Sequence, residues 1–138
     1  MNDLASRLYI KPEHWSQMER EVDAYAPEEA CGIVAGRGNH SELVIPVTNI
    51  LHSVTSFRME PKEQLNAFLL AEERSLDILA IYHSHPEGID KPSFTDLKEL
   101  TFPGIIYLIW YKAVDRWNCR GYLMRNLVEA REVKVIVK

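Results

Sequence analysis

The sequence predicts an α/β protein: one mixed β-sheet flanked by helices, within a single domain spanning residues 1–138. Three observations predict it. Strand-type runs flank and separate three segments of helical character, which is the arrangement of a mixed layer structure. Two of those helical segments open on proline, Pro12 and Pro61, where a first turn tolerates the missing N–H. The run Ile105 to Tyr111 is apolar at nearly every position, as a strand covered on both faces requires.

The elements follow in order. Leu8 to Ile10 forms a short opening strand. From Pro12 to Tyr25, Trp15, Met18, Val22 and Tyr25 recur at three- and four-residue steps, which makes an apolar stripe on a helix that Pro27 ends. Cys31 to Ala35 is a compact apolar strand. Gly36-Arg37-Gly38-Asn39 turns the chain, and Glu42 to Val47 returns it as a hairpin. Ser56 to Met59 reads as a further short strand. A second helix runs from Pro61 to near Ser75, with Leu65, Phe68 and Leu69 as its apolar face. Asp77 to Tyr82 is the next strand, Glu87 to Pro92 a loop, and Ser93 to Leu100 a third helix stopped by Pro103. The strands Ile105 to Tyr111, Trp117 to Met124 and Val133 to Val137 close the chain, the last with the weaker alternation of an edge.

Composition narrows the class of function. Of 138 residues, 46% are hydrophobic and 26% charged, as in an ordinary globular protein. The net charge of −4 gives no basic footprint for nucleic acid. No apolar run approaches the length of a membrane span, and the first residues lack the charge and core of a signal peptide. The two cysteines, Cys31 and Cys119, stand in no CxxC pattern, which excludes a disulfide scaffold or zinc ribbon and suits a reduced, cytoplasmic setting. Cys31 lies in an apolar strand and reads as a buried thiol rather than a nucleophile.

The chemistry concentrates in Tyr82-His83-Ser84-His85-Pro86 and, after the loop, Ser93-Phe94-Thr95-Asp96. At the end of a strand, His83 and His85 point to one face, because side chains alternate with a period of two. A helix opening at Ser93 can carry Asp96 back across that strand end. Two imidazoles and a carboxylate leave the fourth position of a tetrahedral zinc open, the mark of a catalytic rather than structural site. Ser93 and Asp96 also fit a helix-capping pair, a role compatible with metal binding since a helix start is a rigid mount. The Ser93 hydroxyl is a candidate donor to an oxygen that turns negative as a carbonyl is attacked. A hydrolase of this kind needs a general base as well. Glu28 and Glu29 both precede the strand at Cys31, and spacing alone does not choose between them. His14, His40 and His52 have no partner at ligand spacing and read as surface. Trp110, Tyr111 and Trp117 suit either a contact surface or core packing.

Together these segments resemble the JAMM metalloprotease family, also called the MPN+ (Mov34/MPN/PAD-1) domain, in a minimal prokaryotic form. The family motif is a glutamate, then His-x-His-Pro, a loop, and Ser-x-x-Asp. Here it is Glu29, His83-Ser84-His85-Pro86 and Ser93-Phe94-Thr95-Asp96. The family's glutamate stands three residues before a strand glycine, so Gly32 selects Glu29. The resemblance covers about Ile10 to Met124. It implies one Zn2+ per chain held by His83, His85 and Asp96, with Glu29 as general acid/base and Ser93 as oxyanion stabiliser. It also implies a curved mixed sheet between helices, of cytidine-deaminase-like architecture. The implied activity is hydrolysis of the peptide or isopeptide bond after the Gly-Gly tail of a ubiquitin-like or sulfur-carrier protein. Oligomeric state stays open, a homodimer included.

Two other readings belong to different classes. Metal-free MPN scaffolds bind partners without chemistry, but have typically lost ligands that are all present here. RadC DNA-repair-associated proteins share a similar HxHP…PSxxD segment. They usually carry a helical DNA-binding region, and the acidic balance here gives no reason to hold DNA.

Overall fold

The computed structural model describes residues 7–93, 96, 104–126 and 129–138. The elements run β1 (Arg7–Ile10), α1 (Pro12–Tyr25), β2 (Cys31–Arg37), β3 (His40–Val47), α2 (Pro61–Glu73), β4 (Asp77–His85), β5 (Ile106–Ala113), β6 (Arg116–Asn126) and β7 (Glu129–Val137). Mixed pairing in the order β1-β3-β2-β4-β5-β6-β7 closes the sheet into a barrel. Closure comes from β1, which runs parallel to β7 from Arg7↔Lys134 to Ile10↔Val137 and meets β3 at Tyr9↔His40. The C-terminal strand is therefore paired on both sides and is not an edge.

Period-two alternation divides the apolar side chains into two clusters. Ala80 and Tyr82 of β4, with Leu108 and Trp110 of β5, pack with Met18 and Val22 of α1. Ile81 and Tyr107, with Cys31 and Ile33 of β2, pack on the opposite side with Ala67 of α2. Ile106 to Trp110 is buried throughout, in line with its unbroken apolar run. Trp110 and Trp117 are buried, which assigns them to packing.

Three local expectations are corrected. Helix α2 buries its small residues, Ala67 and Ala71, while Leu65 and Leu69 are 56% and 52% exposed. An alanine face lets the helix sit close to the sheet, and Phe68 alone of the expected apolar face packs against the core. Residues 56–59 form no strand; a single bridge, Asn49↔Met59, pins the base of a loop. His14 is buried, not surface, and its Nδ1 lies 2.7 Å from the Ser41 hydroxyl. The third helix falls largely outside the described residues, although Asp96 is itself helical.

Candidate metal centre

Strand register brings the site together. β2 and β4 are antiparallel with Cys31 opposite His83 and Gly32 opposite Tyr82. Carried two residues back from the start of β2, the same register sets Glu29 beside His85, near both imidazoles. Glu28, one residue off, turns the other way to solvent, where its Oε1 lies 3.2 Å from His52 Nδ1. Strand parity thus places Glu29, and not Glu28, beside the histidines. Gly32 has a steric reason of its own: the Tyr82 ring lies across it, and a Cβ there would fall inside that ring. Behind the ring, the Tyr82 hydroxyl donates to Glu21 Oε1 at 2.8 Å, which ties α1 to the strand bearing the histidines.

At the mouth of β4 three ligand-type atoms converge. His83 Nε2 and His85 Nε2 are 3.1 Å apart, and Asp96 Oδ2 lies 3.2 Å from the first and 3.3 Å from the second. The side chains of His83 and Asp96 are 0% and 5% exposed. Asp96 Oδ2 also accepts the Ser93 N–H at 2.7 Å, and the Ser93 hydroxyl accepts the Asp96 N–H at 3.0 Å. The reciprocal cap and the convergence on the histidines coexist. The Ser93 hydroxyl proton is left free of that cap.

The donor set fits a cation. His85 Nδ1 donates to the Ile89 carbonyl at 2.8 Å, so a neutral His85 presents a bare Nε2 lone pair to its neighbours. With both Nε2 atoms unprotonated, three acceptors would face one another across little more than 3 Å, an arrangement that a cation bound between them would stabilise. Ligands of one tetrahedral zinc at bond lengths near 2.0–2.1 Å are separated by about 3.3 Å, which the measured triangle matches. Glu29, His83 and His85 also each put one ligand-type atom within 4.8 Å of the others, a grouping able to hold a metal ion. Of Glu29 and Asp96, it is Asp96 that approaches both imidazoles directly.

The electrostatics separate the two carboxylates. Burial pushes the Glu29 carboxyl up to about 8, although His85 pulls it back. Its Oε1 is buried with no hydrogen-bond partner. Burial would raise Asp96 too, but the paired histidines outweigh it and hold the group well below the usual carboxylate range. Burial keeps His83 below its ordinary value; at His85 burial also lowers, but the Asp96 carboxylate, which accepts from and attracts the protonated ring, outweighs it and raises the group. Cys31 is buried, its thiol donating to the Val47 carbonyl at 3.4 Å and pushed up to about 12 by burial, the setting of a structural thiol.

Contacts invisible in the sequence complete the surroundings. Phe57 stacks on His83 with ring centroids 4.5 Å apart. The Ser84 hydroxyl accepts the Ala30 N–H at 2.8 Å while the Ser84 N–H donates to the Ala30 carbonyl at 3.0 Å. The Asn49 amide donates to the Glu29 carbonyl at 3.0 Å. Backbone partners such as the Ile89 carbonyl leave no trace in residue type.

A mixed barrel with a buried His-x-His pair and a carboxylate converging at the end of a central strand has the design of a metal-dependent hydrolase. The chain belongs to the prokaryotic homologs of the JAB domain, whose family model matches residues 11–120. It is 44% identical over 113 residues to a probable TtuB-protein conjugate cleaving protease of Thermus thermophilus, covering 81% of this chain and 70% of that one. It is 38% identical over 114 residues to the CysO-cysteine peptidase of Mycobacterium tuberculosis, covering 80% and 78%. A desampylase of Pyrococcus furiosus is 28% identical over 137 residues, covering 99% and 96%. Among solved structures, a protein from Desulfitobacterium hafniense aligns with a TM-score of 0.85 at 28% identity, covering 95% of this chain and 92% of that one. A JAB1/MPN domain protein from Archaeoglobus fulgidus shares the fold, with a TM-score of 0.57 at 16% identity, covering 96% and 99%.

Proposed function

We propose that this chain is a zinc-dependent peptidase that hydrolyses the peptide or isopeptide bond after the Gly-Gly tail of a ubiquitin-like or sulfur-carrier protein. The observation that carries the reading is the triangle of His83 Nε2, His85 Nε2 and Asp96 Oδ2, with the Glu29 carboxyl buried beside it. The relatives' names, a conjugate-cleaving protease, a desampylase and a carrier–cysteine peptidase, support the substrate class.

Each residue has a distinct task. His83, His85 and Asp96 hold the zinc, one per chain. Bound there, zinc supplies Lewis acidity toward a scissile carbonyl and toward water. Glu29 takes a proton from the attacking water on its carboxylate and returns it to the leaving amine nitrogen. The Ser93 hydroxyl donates to the carbonyl oxygen as negative charge grows there. A Gly-Gly tail suits a buried site because two residues without side chains can reach a narrow strand end that bulkier ones cannot.

The test is zinc content of the protein purified without added metal, beside Asp96→Ala, followed by assay on carrier domains whose Gly-Gly terminus is fused to a peptide. About one zinc per wild-type chain, its loss in the variant, and cleavage directly after the second glycine are expected. A folded protein that takes up no zinc on reconstitution would defeat the hydrolase reading. Zinc uptake without cleavage of any carrier fusion would leave a binding module.

A further inference from the structure

The inference drawn here concerns how Glu29 is held, and it rests on the acid/base reading of that residue. Glu29 lies just beyond the first residue of β2, where a ladder normally frays. β3 does not continue past Val47 to support it. The chain turns away at Thr48, whose N–H goes to Glu63 Oε1 at 2.9 Å and whose carbonyl accepts the Glu60 N–H at 2.9 Å, both at the start of α2. The β2–β3 register, Cys31 opposite Val47, would set Asn49 opposite Glu29 if both strands ran on. The side chain of Asn49 occupies that place in lieu of backbone pairing.

Asn49 is fully buried, and every hydrogen-bonding position of its amide is used. Nδ2 donates to the carbonyls of Glu29 at 3.0 Å and Ser56 at 3.1 Å. Oδ1 accepts from the N–H groups of Leu51 at 3.1 Å and Arg58 at 3.0 Å. The loop wound around this amide returns a second grip, since the Glu29 N–H donates to the Ser53 carbonyl at 2.8 Å. The same loop carries Phe57 against His83. One amide therefore sets both the peptide that aims Glu29 and the ring that backs a ligand. Glu29 Oε1 has no partner, so the direction of its carboxyl is inherited from the backbone.

We infer that Asn49 is a positioning residue: its side-chain amide, through the Glu29 carbonyl and the loop 50–58, fixes the acid/base carboxyl relative to the His83–His85 pair. Asn49→Asp is the informative change, because it keeps size and the two accepted bonds but removes both donated ones. An error of about 1 Å in such a group costs on the order of a hundredfold in rate.

The experiment is a double-mutant cycle in zinc-loaded protein, wild type, Asn49→Asp, Glu29→Gln and the pair, combined with amide exchange of the zinc-free proteins. In Asn49→Asp we expect kcat down 10- to 100-fold, KM within twofold and zinc content unchanged. We expect no further loss when Asn49→Asp is added to Glu29→Gln, since a residue acting through Glu29 has nothing left to act on. Exchange at residues 28–31 should quicken at least tenfold while residues 33–36 keep their protection. Wild-type kcat, or the same fold-loss on the Glu29→Gln background, would overturn the inference. If Asn49→Asp does not fold, Asn49→Ser is read through the same cycle. If the wild type cleaves no carrier fusion, the functional reading fails, and exchange at residues 28–31 still decides whether Asn49 holds that segment.

Discussion

The Nδ1 proton of His85 is committed to the carbonyl of Ile89 at 2.8 Å, which turns the Nε2 lone pair toward His83 and Asp96. A backbone carbonyl four residues on thus selects the tautomer of the proposed ligand His85, a common device for orienting metal-bound histidine. In the zinc-loaded protein, His85 should show a protonated, slowly exchanging Nδ1 and a coordinated Nε2 in two-dimensional 15N spectra. His85→Ala should lower zinc affinity at least a hundredfold in competition with a chelator. A His85 coordinated through Nδ1 would contradict the geometry.

Glu29→Gln separates holding the metal from moving the proton. The ligand triangle does not include Glu29, so zinc content should stay at one per chain while kcat falls by about 10²–10⁴. Folding stability of the zinc-free protein should rise by about 1 kcal/mol at pH 7, since a carboxyl that burial raises to about 8 takes up a proton on folding, a cost that a neutral amide of the same shape avoids. Zinc loss in this variant, measured by elemental analysis, would move Glu29 into the ligand set.

Gly32→Ala tests the contact that explains the motif glycine. The added methyl meets the Tyr82 ring, and Tyr82 cannot yield without disturbing its bond to Glu21 and the neighbouring His83. Overpacking of this kind costs about 2–3 kcal/mol, or roughly 8–12 °C in Tm for a chain of this length. Tyr82→Leu, harmful by itself, should recover part of the loss in the double variant. Additive effects in thermal unfolding would show that the two positions do not meet.

The parts of this protein that were legible in its sequence share one property: they depend on periodicity. His83 and His85 on one face, Ile106 to Trp110 as a covered strand, and the stripe Met18–Val22 all follow from a repeat of two or 3.6 residues. Closure of the barrel was not legible, because pairing of β1 with β7 joins the two ends of the chain and no local pattern records it. Nor was the face of α2. Leu65 and Leu69 have the stronger hydrophobicity, yet the space beside β2 and β4 admits only alanine, and close approach won over apolar area. The loop around Asn49 resembled a strand at residues 56–59 since its bonds run to one side chain, which composition cannot express. The structure gathers His83, His85 and Asp96 at one strand end, while the reason Glu29 and not Glu28 faces the histidines is a matter of register.

That α2 result carries its own prediction. Leu65→Ser and Leu69→Ser should each change stability by no more than about 0.5 kcal/mol, as for other exposed positions. Ala67→Leu should cost about 1–3 kcal/mol by overpacking. Denaturant titration of the three variants distinguishes this face from the one hydrophobicity favours.

Glu21 gives the protein a pH-dependent stability away from the ligand cluster. Burial pushes its carboxyl up to about 7 from an ordinary 4.5, only partly countered by the Tyr82 hydroxyl that donates to Oε1. Oε2 is buried with no partner. A carboxyl whose folded pKa exceeds its unfolded one binds more protons in the native state between the two values, so stability falls as pH rises across that window. The contribution is whole below about 4.5 and is lost as pH passes about 7. The full shift corresponds to about 3 kcal/mol; partial exposure of the side chain reduces this to about 1–2. Glu21→Gln keeps an acceptor for Tyr82 and cannot ionise. The difference in unfolding free energy between Glu21→Gln and wild type, followed by urea titration, should therefore grow in favour of the variant from pH 5 to pH 8. Taking this difference cancels the same-signed contribution of Glu29, which both proteins share. A difference that stays flat with pH would mean that Glu21 ionises freely in the folded protein and that its carboxyl is hydrated.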